Sequence, residues 1–348
     1  MSGVAYYVIA GLGLAILMVV HESGHYFAAR YFGMRILKVS IGFGPTIVKH
    51  QPKGSTTVYQ IALIPFLAYV QIDGMNPYEE SDPKDKGSYA NGSLWARTVA
   101  IASGPLANYF FASILFFFGF LIAGRLDMNE NSLKVNVNPG GPSQIAGIRD
   151  GDTFLELDGT AVHTWEDIKA VVAAHPTEPV DVMVDRNGQH LHFSPTPVPK
   201  GEKYEGKIEV GPFSQVVKVG PSEAALLSIT APAKVVYGTV YGLARLIMGK
   251  EKAELSGPVG IVKETAAQAK SGVGDLFQFL GGLSAYLGAF NLLPIPALDG
   301  GRLLFIGIEA ASRRKPDAKI EARIHAVGLV MMLMLIAVVT WTEVMPKR

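Results

Sequence analysis

Residues 1–29 read MSGVAYYVIAGLGLAILMVVHESGHYFAA, and no charged side chain precedes His21 and Glu22. A run this apolar has the length of a membrane-spanning helix, about 17–25 residues. It ends in His21-Glu22-Ser23-Gly24-His25, three ionisable groups within five residues. An unpartnered imidazole or carboxylate at membrane depth costs several kcal/mol, so this cluster needs a compensating partner. On a helix His21 and His25 lie one turn apart on one face, so two ring nitrogens can converge on one zinc ion, with Glu22 beside them as a proton acceptor. A cleavable signal would need a basic start and a small-residue cleavage site, and neither precedes the motif.

Three more charge-free blocks follow, Val99 to Gly124, Leu276 to Leu298 and Ala326 to Thr342. Four membrane spans are the expectation. Composition agrees: the 348-residue chain is 49% hydrophobic and 18% charged, with 31 Lys and Arg against 30 Asp and Glu. That balance argues against disorder and against a nucleic-acid binder, which needs a cationic surplus. The absence of cysteine removes thiolate metal sites, disulfides and thiol nucleophiles. Basic residues place the segments between the spans. Arg30, Arg35, Lys38 and Arg97 flank the stretch between spans one and two, and Arg302, Arg313, Arg314, Lys315, Lys319 and Arg323 crowd a short loop between spans three and four. Both are expected on the cytoplasmic side, with both termini and the long stretch from Arg125 to Asp275 opposite.

Residues 132–198 have the composition of a soluble domain: alternating apolar runs punctuated by Gly140-Gly141-Pro142, Asp150-Gly151-Asp152, Asp158-Gly159 and Arg186-Asn187-Gly188, with one helix at Trp165 to Ala174. Pro142 to Ile148, Gly151-Asp152, Leu155 to Gly159 and Thr164 to Ile168 together resemble a bacterial PDZ domain. The resemblance implies recognition of a peptide or chain end at a sheet edge, with a purely steric role open beside it. Residues 55–74 read as strand and are broken at Pro65. Residues 222–249, apolar but interrupted by Pro232, Lys234 and Arg245, read as an interfacial amphipathic helix rather than a fifth span.

Two histidines leave a catalytic zinc short of a third protein ligand. At the edge of another apolar block stands Asp299, in Asn291-Leu-Leu-Pro-Ile-Pro-Ala-Leu-Asp-Gly-Gly301. Pro294 and Pro296 lack backbone donors and break the helix, and broken backbone at that depth belongs where it is buried or lines a wet cavity. Asp299 is the expected third ligand.

With these residues in place the chain resembles the site-2 proteases, intramembrane zinc metalloproteases, in their bacterial form with a single PDZ domain, the regulator of sigma-E protease type. The family's His-Glu-x-x-His falls on His21, Glu22 and His25, and its Asn-x-x-Pro-x-Pro-x-Leu-Asp-Gly on Asn291, Pro294, Pro296, Leu298, Asp299 and Gly300. Ser103-Gly104-Pro105-Leu106-Ala107-Asn108 also matches; its small residues permit close helix packing, and Asn108 either bonds across the core or touches substrate. Asn291 either holds the unwound chain or steadies a substrate carbonyl.

The resemblance implies a polytopic α-helical membrane protein with four transmembrane helices, a membrane-associated β-hairpin and an inserted extracytoplasmic α+β PDZ domain. Its parts are a first half of the protease core (1–124, with a re-entrant hairpin at about 55–74), the PDZ domain (132–198), a post-PDZ segment (199–273) and a second half (274–348). It implies a zinc endopeptidase of the bacterial inner membrane, with one Zn2+ and an active site toward the cytoplasm. Its partners would be single-span membrane proteins already trimmed on the outer side, such as anti-sigma factors, and the lipid bilayer, without nucleic acid. A PDZ scaffold without catalysis, and a surface protease acting on soluble chains, are the alternatives.

Overall fold

The computed structural model describes residues 3–76, 82, 84–128, 132–200, 205–249 and 256–345. The chain divides into two compact units, 124–218 and the remainder.

In the larger unit, helices α1 (Gly3–Tyr31), α2 (Leu94–Ala123) and α9 (Ala318–Val344) are long and apolar enough to cross a membrane. They contain three of the four expected blocks. The remaining one, 276–298, is helical only as far as the end of α7 (Val273–Asn291), because Pro294 and Pro296 interrupt the ladder. Helix α7 is not among the candidate spans, although it packs along α2. Glycines set the helix separations: a β-carbon on Gly24 would lie 2.1 Å from the Ser103 carbonyl oxygen, and one on Gly288 would lie 2.8 Å from that of Pro105. Such small-residue contacts let apolar helices associate where lipid offers no hydrophobic driving force.

The segment read as a short basic loop is largely helix α8 (Asp299–Ser312), with Arg302 half-buried in its first turn. The apolar run Leu303 to Ile308 supplies the helix face that the flanking charges obscure in the sequence. Helix α5 (Pro221–Ile247) passes through Pro232 unbroken and packs on α2 and α7 through Ala231 and Val235. Helix α6 (Pro258–Ser271) touches α1, α7 and α9. Its first turn receives the Glu343 carboxylate of α9, which accepts from the Gly257 and Gly260 amides at 2.7 and 3.1 Å, a favourable end for an anion.

The β-structure beside α1 is larger than the hairpin expected at 55–74. It joins β1 (Ile36–His50) to β2 (Val58–Ile72), so 55–74 supplies only the second strand. Lys38 to Ile41 have two sets of partners, Gln71 to Ala68 and Val58 to Ile61, while Thr46 to His50 pair with Ala62 to Tyr59. Gly42 and Gly44 make the reversal in β1, with φ of 93° and 91°. A β-carbon on Gly42 would meet the Ala62 carbonyl at 2.7 Å, so both the turn and the approach require glycine. The sequence reading missed β1 because these glycines interrupt its apolar pattern. The base of the sheet packs Ile36 and Ile72 against Ala29 of α1 and Ala96 and Ala100 of α2.

The smaller unit has a four-stranded antiparallel sheet ordered β6-β5-β7-β8, from β5 (Thr153–Leu157), β6 (Thr160–Ala161), β7 (Val182–Arg186) and β8 (Gln189–Phe193). Around it, β3 (Arg125–Met128) pairs with β12 (Ser214–Val217), β4 (Val135–Val137) with β11 (Val210–Pro212), and β9 (Val198–Lys200) with β10 (Glu205–Lys207). The unit therefore extends beyond 132–198 at both ends, because its outer strands close on each other. Phe154, Leu157, Val182 and Val184 of the sheet, Ile168 and Val172 of α4 (Trp165–Ala174), and Ile148 just after the short α3 (Pro142–Ala146) form its core. Helix α4 has the bounds read from sequence and starts in a capping box, with Thr164 and Asp167 each accepting from the other's amide. Buried Asp152 accepts from both Nε and Nη2 of Arg186 at 2.7 Å, which offsets its desolvation.

Candidate metal centre and active site

The last three turns of α1 carry His21, Glu22 and His25, and the first residue of α8 is Asp299. The chain brings them together across 274 residues of sequence by running α2 between them: α2 packs on both α1 and α8. His21 Nε2 lies 3.3 Å from His25 Nε2, and Asp299 Oδ2 lies 3.2 Å from the first and 3.3 Å from the second. Asp299 Oδ2 is buried without a hydrogen bond. Two imidazole nitrogens and a carboxylate oxygen at mutual contact, with no hydrogen bond to satisfy the oxygen, are a donor set arranged around a cation. Tetrahedral zinc with ligands at about 2.0–2.1 Å separates them by about 3.3 Å, so the residues fit the ion. Among the described residues this is the one group of three or more such side chains that could hold a metal.

The other ring nitrogens fix the tautomers. His25 Nδ1 donates to the Ala100 carbonyl at 2.8 Å, which leaves Nε2 unprotonated toward the triangle. That carbonyl lies in the turn where Pro105 withholds the donor that Ile101 would receive. His21 Nδ1 is 3.4 Å from the side-chain amide of Asn108, which is 1% exposed. A metal-bound His21 carries its proton on Nδ1, and Asn108 accepts it through Oδ1 when the amide is so turned. Asn108 therefore touches His21, while Ser284 of α7 donates to its backbone carbonyl at 2.8 Å. A β-carbon on Gly104 would lie 2.3 Å from His25 Nε2, so only glycine leaves room for that imidazole.

Glu22 is half-buried and its Oε2 accepts from the backbone amide of Val70 in β2 at 2.9 Å. One N–H of the strand nearest the site thus points at the carboxylate. Asn291 closes α7, Pro294 is exposed on the loop, and Pro296 packs against Gly328 of α9, where a β-carbon would approach it to 2.4 Å. Gly300 abuts the Leu293 carbonyl at 2.1 Å by the same measure, so the loop folds back tightly on the start of α8.

Two features near the site escaped the sequence reading. Arg97 of α2 makes a buried two-pronged ion pair with Glu309 of α8, at 2.6 and 2.9 Å. The partners stand 212 residues apart, and no local pattern links them. His325 of α9 accepts from the Ala297 amide through Nδ1 at 2.9 Å. A histidine at the edge of an apolar block was the available signal.

The family model for Peptidase family M50 matches residues 9–335. A protein of Agrobacterium fabrum that bears a zinc-metalloprotease name is 31% identical, over 96% of this chain and 94% of its own length. The regulator of sigma-W protease RasP of Bacillus subtilis is 29% identical, with 94% and 95% covered. The zinc metalloprotease RasP of Geobacillus kaustophilus is 28% identical over the same shares. A match from the first membrane-length helix to the last, together with relatives aligned over nearly their full length, places this chain in Peptidase family M50, the site-2 proteases, as a membrane-embedded zinc metalloprotease.

Proposed function

We propose that the protein hydrolyses a peptide bond within or near the transmembrane segment of single-span membrane proteins. The observation that carries this reading is the position of His21, Glu22 and His25 on α1, a helix long and apolar enough to span a bilayer, with Asp299 of α8 completing the triangle. His21, His25 and Asp299 are the proposed ligands and Glu22 the proposed base. Bound zinc supplies Lewis-acid polarisation of the scissile carbonyl and lowers the pKa of the attacking water. Glu22 takes the proton from that water and returns it to the leaving nitrogen as the C–N bond breaks. The Val70 amide holds the Glu22 carboxylate in place between the two transfers. Asn291 is assigned to holding the end of α7 above the unwound loop, with Pro294 and Pro296 keeping that loop out of helix.

In this reading α7 is the fourth span, shortened by the loop that carries Asp299. The β1–β2 sheet lies at membrane depth and pairs with the extended substrate, since a helical peptide bond is shielded by its own ladder. The unit 124–218 is the single PDZ domain, outside the cytoplasm with both termini, and reads or filters a substrate already trimmed on that side. Helix α5 lies at the interface. The regulator name of the Bacillus relative supports anti-sigma factors as a substrate class.

The test is cleavage of a labelled single-span substrate with a short outer segment by the detergent-purified chain and by Glu22→Gln, with zinc measured on both. The parent cuts within the span, and the variant keeps zinc and falls by at least about 10²-fold, the contribution of a general base. A cleaving Glu22→Gln overturns the assignment. Equal cutting of trimmed and untrimmed substrate after replacement of 125–217 by a short linker is expected; unchanged preference overturns the filter.

A further inference from the structure

The loop that delivers Asp299 contains one non-glycine residue in the left-handed region, Ala297 with φ 74°. A β-carbon disfavours that conformation, and a residue persists there when its surroundings impose it. Inside the loop, Ile295 donates to Leu293, and Leu298 to Ile295. The Ala297 amide leaves the loop, donating at 2.9 Å to Nδ1 of His325 on α9. Because Nδ1 accepts, a neutral ring carries its proton on Nε2, and Nε2 is buried with no partner. That N–H gains nothing locally, so the ring's place is set by what Nδ1 and its faces do. Its Cε1 edge abuts the start of α8, since a β-carbon on Gly301 would stand 3.2 Å from it, and Phe305 tilts against it at 5.8 Å. His325 therefore grips the chain two residues before and two residues after Asp299. Helix α9 buries none of its residues along its length, yet it approaches this loop through His325 and Gly328.

We infer that His325 is a positioning residue for the metal centre. By holding Ala297 left-handed and abutting Gly301, it fixes the direction in which Asp299 points, so α9 controls how tightly the ion is held. This rests on Asp299 being a ligand. His325 itself is outside the ligand group.

The test uses the full-length chain in detergent and reads zinc retention against a chelator, beside thermal unfolding of the same samples. His325→Leu and His325→Gln remove the acceptor at the Nδ1 position, and each is expected to weaken zinc binding about 10–100-fold, the range for a group that supports a ligand. His325→Asn places an oxygen where Nδ1 stands and is expected to hold zinc within about 3-fold of the parent. Ala297→Gly in the His325→Leu background is expected to recover part of the loss, because glycine takes the left-handed turn without a clamp. Asp299→Ala runs in parallel. If Asp299→Ala keeps zinc, the ligand assignment and this inference fall together. If Asp299→Ala loses zinc while His325→Leu holds it like the parent, only the positioning role falls. Equal zinc loss in the Asn, Gln and Leu variants, tracking a common drop in unfolding temperature, would mark His325 as mere packing and also overturns it.

Discussion

Replacing Gly104 by alanine places a methyl group against a proposed metal ligand without touching any ligand's chemistry. The added carbon would stand 2.3 Å from His25 Nε2, 2.5 Å from Cε1 and 2.8 Å from Cδ2, against an ordinary contact of 3.4 Å or more. The imidazole must retreat by about 1 Å, several times the roughly 0.2 Å latitude of a metal–ligand distance. It cannot turn freely, because Nδ1 is tied to Ala100 at 2.8 Å on the same helix that carries the methyl. Either that bond or the 3.3 Å spacing to His21 has to give. Zinc affinity is expected to fall at least about 10–100-fold, with cleavage falling in step. Competition with a graded chelator series measures it, and Gly238→Ala, which meets nothing within 4 Å, is the control. A Gly104→Ala protein that holds zinc as tightly as the parent would refute the placement of His25 against α2.

Glu309→Gln leaves the buried Arg97 guanidinium without its charge partner and is expected to cost about 3–5 kcal/mol; Arg97→Met with Glu309→Met recovers most of it. Thermal unfolding in detergent decides, and an unshifted single variant counts against a buried pair. Asn108→Leu removes the acceptor for His21 Nδ1 and is expected to weaken zinc binding about 10-fold with secondary structure intact, read by the same chelator competition. In the smaller unit, bonds from the His163 and Thr164 amides hold the Asp167 carboxyl below the ordinary carboxylate range. A depressed folded pKa stabilises fully above the unfolded value of about 3.9 and is lost as pH falls through the lower one. Amide-exchange protection at the start of α4 should therefore decline progressively as pH falls below about 4 and lose that dependence in Asp167→Asn; an unchanged profile in the variant refutes it.

Much of this protein is legible along the chain because membranes and metals impose local rules. A helix in lipid must be long and apolar, which is why α1, α2 and α9 stand out. His21 and His25 share a face because 3.6 residues make a turn. Two prolines end α7 whatever surrounds them. The alternation and turn pairs of the smaller unit are equally local, and α4 begins and ends where its cap and periodicity put it.

What only the tertiary structure decided involves partners remote in sequence. That Asp299 Oδ2 reaches both histidines depends on α2 packing against α1 and α8, and on glycines whose value is the space they leave. The extent of the β1–β2 sheet, the Arg97–Glu309 pair and the grip of His325 on Ala297 likewise depend on chain passing at close range. Periodicity records which face a residue occupies on its own element. It carries no record of which other element will meet that face, because that choice is made by shape and by polar groups that must find one another once water is gone.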